Sequence, residues 1–98
     1  MNGYEVYLND IIENIERAQR FIADVSYDEF TRDDKIHYAV VRCLEIIGEA
    51  TKRLPQSLRQ QHPEIPWKSM TGTMDVIVHA YASINLFKVW QTVKMTFR

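Results

Sequence analysis

One cysteine in 98 residues leaves no disulfide framework. The three glycines, Gly3, Gly48 and Gly72, stand far apart, so no glycine-rich loop is present to cradle a phosphate. No apolar run approaches the roughly 20 residues that span a bilayer, and the N-terminus lacks a basic segment followed by an apolar one. A soluble, cytoplasmic protein with no membrane partner is expected. A net charge of −1 excludes a uniformly basic surface, so any nucleic-acid contact needs a local basic patch. His37, His62 and His79 fall in three different elements, without a cysteine partner or an HExxH spacing. Neither a metal site nor a cofactor is expected. No alternating apolar/polar run and no hairpin dipeptide survives, which removes the strand signals.

What remains is ordinary globular material, 46 % hydrophobic and 26 % charged, enough for one domain over 1–98. A chain this short buries only about 60–65 % of its unfolded surface, so a core shared between two copies is expected. The apolar pattern is helical. Tyr4, Leu8, Ile11, Ile15, Ala18, Ile22 and Val25 recur at spacings of four and three, with Glu5, Asn9, Glu13, Glu16, Arg17 and Arg20 on the solvated side. The pattern stops at Ser26. "SYDEFTRDD" reads as a loop with one helical turn, and Asp33 as the N-cap of the next helix. That helix, "KIHYAVVRCLEIIGEATKRL", is apolar nearly all round: Ile36, Ala39, Val40, Cys43, Ile46, Ile47 and Ala50, widened by Val41 and Leu44. It is expected at the centre of the fold, ended by Pro55, with Gly48 permitting close helix packing. "QSLRQQHPEIPW" reads as a connector with one short helical piece, and Trp67 as a core plug opening a helix from about Lys68 to Ala80. Asn85 is a candidate N-cap for a last helix carrying Leu86, Val89, Trp90, Val93 and Phe97. The expected fold is all-α, an antiparallel bundle of four main helices with short helical connectors.

Chemistry has few places to reside. Cys43 sits on a buried stripe and reads as a small hydrophobe rather than a nucleophile. Tyr38, Arg42, Glu45 and Glu49 form a narrow polar line on the central helix. It is either a solvated, ion-paired stripe or the polar wall of a cleft built from Arg42, Glu45 and Glu49. His79 and Tyr81 follow the apolar run Val76–Ile77–Val78. On a continuous helix they lie about 200° apart, so they converge only if the helix ends near His79. There the helix dipole favours a protonated imidazole, and an imidazole suits proton transfer near neutral pH. The alternative is a histidine hydrogen-bonded at a helix end beside a tyrosine that anchors the loop.

"FTRDDKIHYAVVRCLEIIGEATKRLP", "HPEIPWKSMTG" and "VIVHAYASINLFKVW" together resemble the HepT-type toxins of the HEPN superfamily, over residues 4 to about 93. The resemblance implies a helical HEPN-like homodimer acting as a metal-independent ribonuclease on RNA rather than DNA. It also implies a partner, an MntA-type nucleotidyltransferase antitoxin that silences the toxin by attaching AMP to a tyrosine. The family motif is Arg, four residues, His, one residue, Tyr. Its histidine falls on His79 as the proton-transfer group and its tyrosine on Tyr81 as the AMPylated residue.

Two departures follow from the same resemblance. The motif arginine position holds Met74, followed by Asp75 where relatives often carry asparagine. A thioether cannot offset negative charge at phosphorus, and Asp75 adds a charge of the wrong sign. Activity of this chain is therefore expected to be weakened or lost, leaving a helical dimer that binds its nucleotidyltransferase as the alternative function. The C-terminal "QTVKMTFR" is also expected to be short relative to the family, whose members continue with an acidic, proline-containing segment.

Overall fold

The computed structural model describes residues 3–68, 70–71 and 86–96. Helix α1 spans Glu5–Ile22, α2 Tyr27–Arg32, α3 Asp34–Lys52 and α4 Gln56–Gln60. A helical turn holds Trp67, Lys68, Met70 and Thr71, and α5, Leu86–Gln91, runs into a π-helical turn at Thr92–Thr96. No strand occurs among the described residues, and the fold is all-α.

The two long helices form the frame. The Arg53 guanidinium, just past the end of α3, lies 6.0 Å from the centre of the Tyr7 ring near the start of α1. Arg17 and Arg20, toward the end of α1, act on Cys43 in the middle of α3. The pair is therefore antiparallel. Between them lie Ile11, Ala18 and Ile22 from α1 and Val40, Cys43, Leu44, Ile47 and Ala50 from α3, all in one buried cluster. Tyr4, Leu8, Ile15 and Val25 of the expected α1 stripe are only partly buried, packed against that cluster. Asn14, not a member of the stripe, is buried instead. Local bonds satisfy it: its amide donates to the Asp10 carbonyl at 2.8 Å and its oxygen accepts from Arg17 at 3.1 Å.

Helix α3 is buried on most of its circumference. Val41, Gly48 and Thr51 are buried along with the core residues, and the Thr51 hydroxyl donates to the Ile47 carbonyl at 2.7 Å. Ile36 and Ile46, expected on the main stripe, are only half-buried. Asp33 caps α3 as expected, its carboxylate accepting from the Lys35 and Ile36 amides at 3.0 and 3.4 Å. The helix ends at Lys52, with Arg53 as its C-cap, and Pro55 opens α4.

The segment expected as loop with one turn is a six-residue helix, α2. Ser26 accepts from the Glu29 amide at 3.1 Å while the Glu29 carboxylate accepts from the Ser26 amide at 3.3 Å, a reciprocal capping box. Its function in the fold is to insert Phe30, which is fully buried. The Phe30 ring meets Trp90 of α5 at 5.2 Å and His37 of α3 at 6.1 Å between centroids. Tyr27 meets Trp90 and Phe87 at 5.6 and 5.7 Å. This aromatic cluster ties α5 to α2 and α3, and Val89 and Val93 complete the contact in the core. Of the helix expected from about Lys68 to Ala80, Lys68, Met70 and Thr71 are described and helical; residues 72–80, with Asn85 and Phe97, lie outside the described residues.

Phe30→Ala is expected to lower unfolding stability by about 3–5 kcal/mol, since it empties a closed site. Asp33→Ala removes a cap and is expected to lower it by about 1 kcal/mol. Urea denaturation checks both; a Phe30→Ala loss no larger than that of Phe87→Ala, at a ring 52 % exposed, contradicts the central role given to Phe30.

Candidate functional site

His79, Tyr81, Met74 and Asp75 all lie outside the described residues, so the structure defines their frame. The chain enters that segment after Thr71 and leaves it at Leu86. On the entering side Met70 is buried, 3 % exposed. Just before it, the Trp67 indole N–H is shared between the carbonyls of Arg59 and His62, each at 3.0 Å. Two acceptors on one donor fix the ring against α4 and stop the turn from swinging. The Thr71 hydroxyl reaches back to the Trp67 and Lys68 carbonyls at 3.2 and 3.3 Å. On the leaving side Leu86 packs against the core and Val89 is fully buried. Both flanks of the His79–Tyr81 segment are thus anchored in one hydrophobic cluster.

The polar line on α3 is laid out as the helical spacing requires. Arg42 and Glu45 pair at 3.6 Å, with the Arg42 side chain 68 % exposed. A groove of about 220 Å³ between α1 and α3 is lined by Arg42 and Glu49 together with Tyr7, Asp10, Ile46 and Arg53. Glu45 does not line it. Two carboxylates and two guanidiniums share this groove, so it offers a phosphate no net attraction.

The remaining reactive side chains are structural. His37 sets its Nδ1 3.0 Å from the Phe30 carbonyl, which can only accept, so Nδ1 carries the proton. Its Nε2 stands 3.6 Å from Asp34. His62 is exposed and meets Glu64 at 3.3 Å. No group of three His, Cys, Asp or Glu side chains converges as a metal site among the described residues. Cys43 is 2 % exposed, and burial pushes its thiol above the ordinary 9.0; Arg17, Arg20 and Arg42 pull it down only in part. A thiol so placed is a poor nucleophile.

A second groove was not foreseen. It holds about 360 Å³ and is lined by Gln56, Arg59, Gln60, Trp67, Lys68 and Thr71. The signal for it was present in "QSLRQ", where Gln56, Arg59 and Gln60 share one helical face, but the segment reads as a bare connector until Trp67 closes the other wall.

Similarity to known proteins decides what this frame belongs to. The ribonuclease HepT-like family matches residues 11–98. The chain belongs to the ribonuclease HepT-like family. A probable ribonuclease HepT of Thermococcus cleftensis is 43 % identical over 92 residues, covering 94 % of this chain and 84 % of the relative. A protein of Methanocaldococcus jannaschii named "Putative RNase" is 40 % identical over 90 residues, covering 92 % of this chain and 74 % of that protein. One of the same description from Caldanaerobacter subterraneus subsp. tengcongensis is 37 % identical over 87 residues, covering 89 % and 78 %. No solved structure matches the chain significantly. The HepT-like match runs through both flanks of the His79–Tyr81 segment and through the whole of α3.

The environment of Cys43 sets a pH dependence. Its pKa is raised on folding, so the neutral thiol's contribution to stability is present below the unfolded value and is lost as pH rises through the folded one. Stability is expected to fall above about pH 9 less steeply in Cys43→Ala than in the parent. Iodoacetamide labelling at pH 7.5 is expected only after denaturant is added; rapid labelling of the native protein contradicts this burial.

Proposed function

We propose that the chain is the ribonuclease component of a HepT–MntA toxin–antitoxin pair, a cytoplasmic homodimer that cleaves RNA without a metal ion. The observation that carries this reading is the HepT-like match over residues 11–98, which spans the motif positions Met74, His79 and Tyr81. Consistent with it, no described helix is long and apolar enough to cross a membrane. Helix α1 also leaves Ile12 54 % exposed beside the half-buried Leu8 and Ile15, on one face that a second copy could cover.

The chemistry asked of the motif is small. A ribose 2′-hydroxyl attacks the adjacent phosphorus, the O5′ bond breaks, and a proton moves from one oxygen to the other. His79 has the right functional group to take or give that proton near neutral pH. Use of the 2′-hydroxyl as internal nucleophile confines the reaction to RNA. The cation that would meet the charge growing on the non-bridging oxygens is missing, because Met74 stands at the arginine position. Removing one such donor typically slows catalysis by about 10²–10³-fold. Tyr81 is the residue we assign to AMPylation by the nucleotidyltransferase; an added phosphate and nucleoside beside His79 would repel and block RNA.

Met74 and Asp75 themselves favour a second reading, in which the dimer no longer cleaves RNA and serves only as a binding module that its nucleotidyltransferase recognises and modifies. The two are separated by restoring the motif. Met74→Arg is expected to cleave RNA about 10²–10³-fold faster than the parent chain, with the gain abolished by His79→Ala. A soluble, folded Met74→Arg protein that leaves RNA intact excludes the ribonuclease reading for this chain. Incubation with the partner nucleotidyltransferase and ATP is expected to add one AMP per chain, detected by intact mass and lost in Tyr81→Phe.

A further inference from the structure

The groove between α4 and the Trp67 turn lies outside the catalytic motif and the polar line. Its lining holds two cations, Arg59 and Lys68, two primary amides, Gln56 and Gln60, and among the described residues no carboxylate. In a protein of net charge −1 with more acidic than basic residues, a concave surface lined this way is a local exception. Among the described residues, Nε of Arg59 is the buried side-chain nitrogen or oxygen that makes no hydrogen bond. Burial of that nitrogen seats the guanidinium against the protein, and Arg59 still lines the groove, where the charge of the group meets a phosphate. The indole beside it is held rigidly, its N–H committed to the Arg59 and His62 carbonyls. A fixed aromatic ring beside a cationic pair offers a base a stacking surface and a phosphate two counter-charges, the combination that single-stranded nucleic acid requires.

We infer that this groove is a subsite for single-stranded RNA, taking a backbone phosphate between Arg59 and Lys68 with a base against Trp67. The inference rests on the ribonuclease reading for the identity of its ligand, and it adds a contact that positions RNA without touching the reacting atoms. Position in the chain supports the assignment. Trp67 and Lys68 stand immediately before the Met70–Thr71 turn that leads into the motif segment, so RNA held in the groove is held by the same anchored element.

The test uses binding rather than cleavage, in the full-length chain carrying His79→Ala. A fluorescein-labelled 12-nucleotide RNA is titrated by anisotropy at several salt concentrations. The Arg59→Gln/Lys68→Gln double variant is expected to bind about tenfold more weakly at low salt, with the salt slope reduced by about 1.4, the value for two phosphate contacts on a single strand. Lys68→Gln alone, at an exposed position that does not threaten folding, is expected to reduce the slope by about 0.7. Arg32→Gln/Lys35→Gln, an equal charge change elsewhere on the surface, is expected to alter binding less than twofold. Equal weakening by both double variants, or no change on altering Arg59 and Lys68, overturns the subsite while leaving the ribonuclease reading to its own cleavage assay. Competition by poly-glutamate as effective as by unlabelled RNA overturns the nucleic-acid assignment of the groove. Cleavage by Met74→Arg at an undiminished rate without Arg59 and Lys68 likewise overturns the subsite alone.

Discussion

The antiparallel contact between α1 and α3 carries the rest of the molecule. A chain of 98 residues has little apolar surface to bury, and here most of it converges on one central helix. Val40, Leu44 and Ile47 are fully enclosed, and Val41, Gly48 and Thr51 extend the buried surface well beyond a single stripe. Three elements are placed by how they meet α3. Helix α1 lies against one side, α2 sends Phe30 to its N-terminal end, and α5 packs Val89 into the same cluster. Burial over most of its circumference makes α3 the part least able to move without opening the fold.

That core also fixes where residues 72–85 begin and end, because the described residues on either side of them pack into it. Met70 and the Trp67 indole fix one flank, and Leu86, Val89 and Trp90 the other. A reaction that depends on proton transfer and charge stabilisation at one phosphorus tolerates little displacement of its groups. The chain belongs to the ribonuclease HepT-like family, and the described residues on both sides of 72–85 are held in its core.

Much of this architecture was legible from residue spacing. The α1 and α3 patterns placed both long helices within a few residues, and Asp33 announced its own capping role, because caps and amphipathic periods are local properties. Helix α2 was expected only as one turn within a loop, although Ser26 and Glu29 stand three apart as a capping box requires. Its six residues contain too few apolar positions to show a period, and Phe30 acquires much of its importance from Trp90, sixty residues away. Asn14 belongs to neither the apolar stripe nor the solvated side, and its burial is explained only by its bonds to Asp10 and Arg17, four back and three ahead. Ile36 and Ile46 were expected on the core stripe but are half-buried, since the most enclosed side of α3 is rotated toward Leu44, Gly48 and Thr51. At the site, the resemblance of "LEIIGEA" and "IPW" carried the assignment of His79 and Tyr81, while spacing alone left two readings open. For the Arg59–Lys68 groove only one wall was legible, the shared face of Gln56, Arg59 and Gln60; the other is set by how the chain turns through Pro63 and Pro66 to bring Trp67 against α4.

Peptide-level hydrogen–deuterium exchange of the native chain tests the central role of α3 most directly. The amides of Val40–Thr51, with the facing Ile11–Ile22 of α1, are expected to exchange last, at the rate set by global unfolding. The connector between Pro55 and Trp67 is expected to exchange far earlier. Exchange of the α3 peptides as fast as the connector, or their loss of protection while α5 stays protected, would contradict the account.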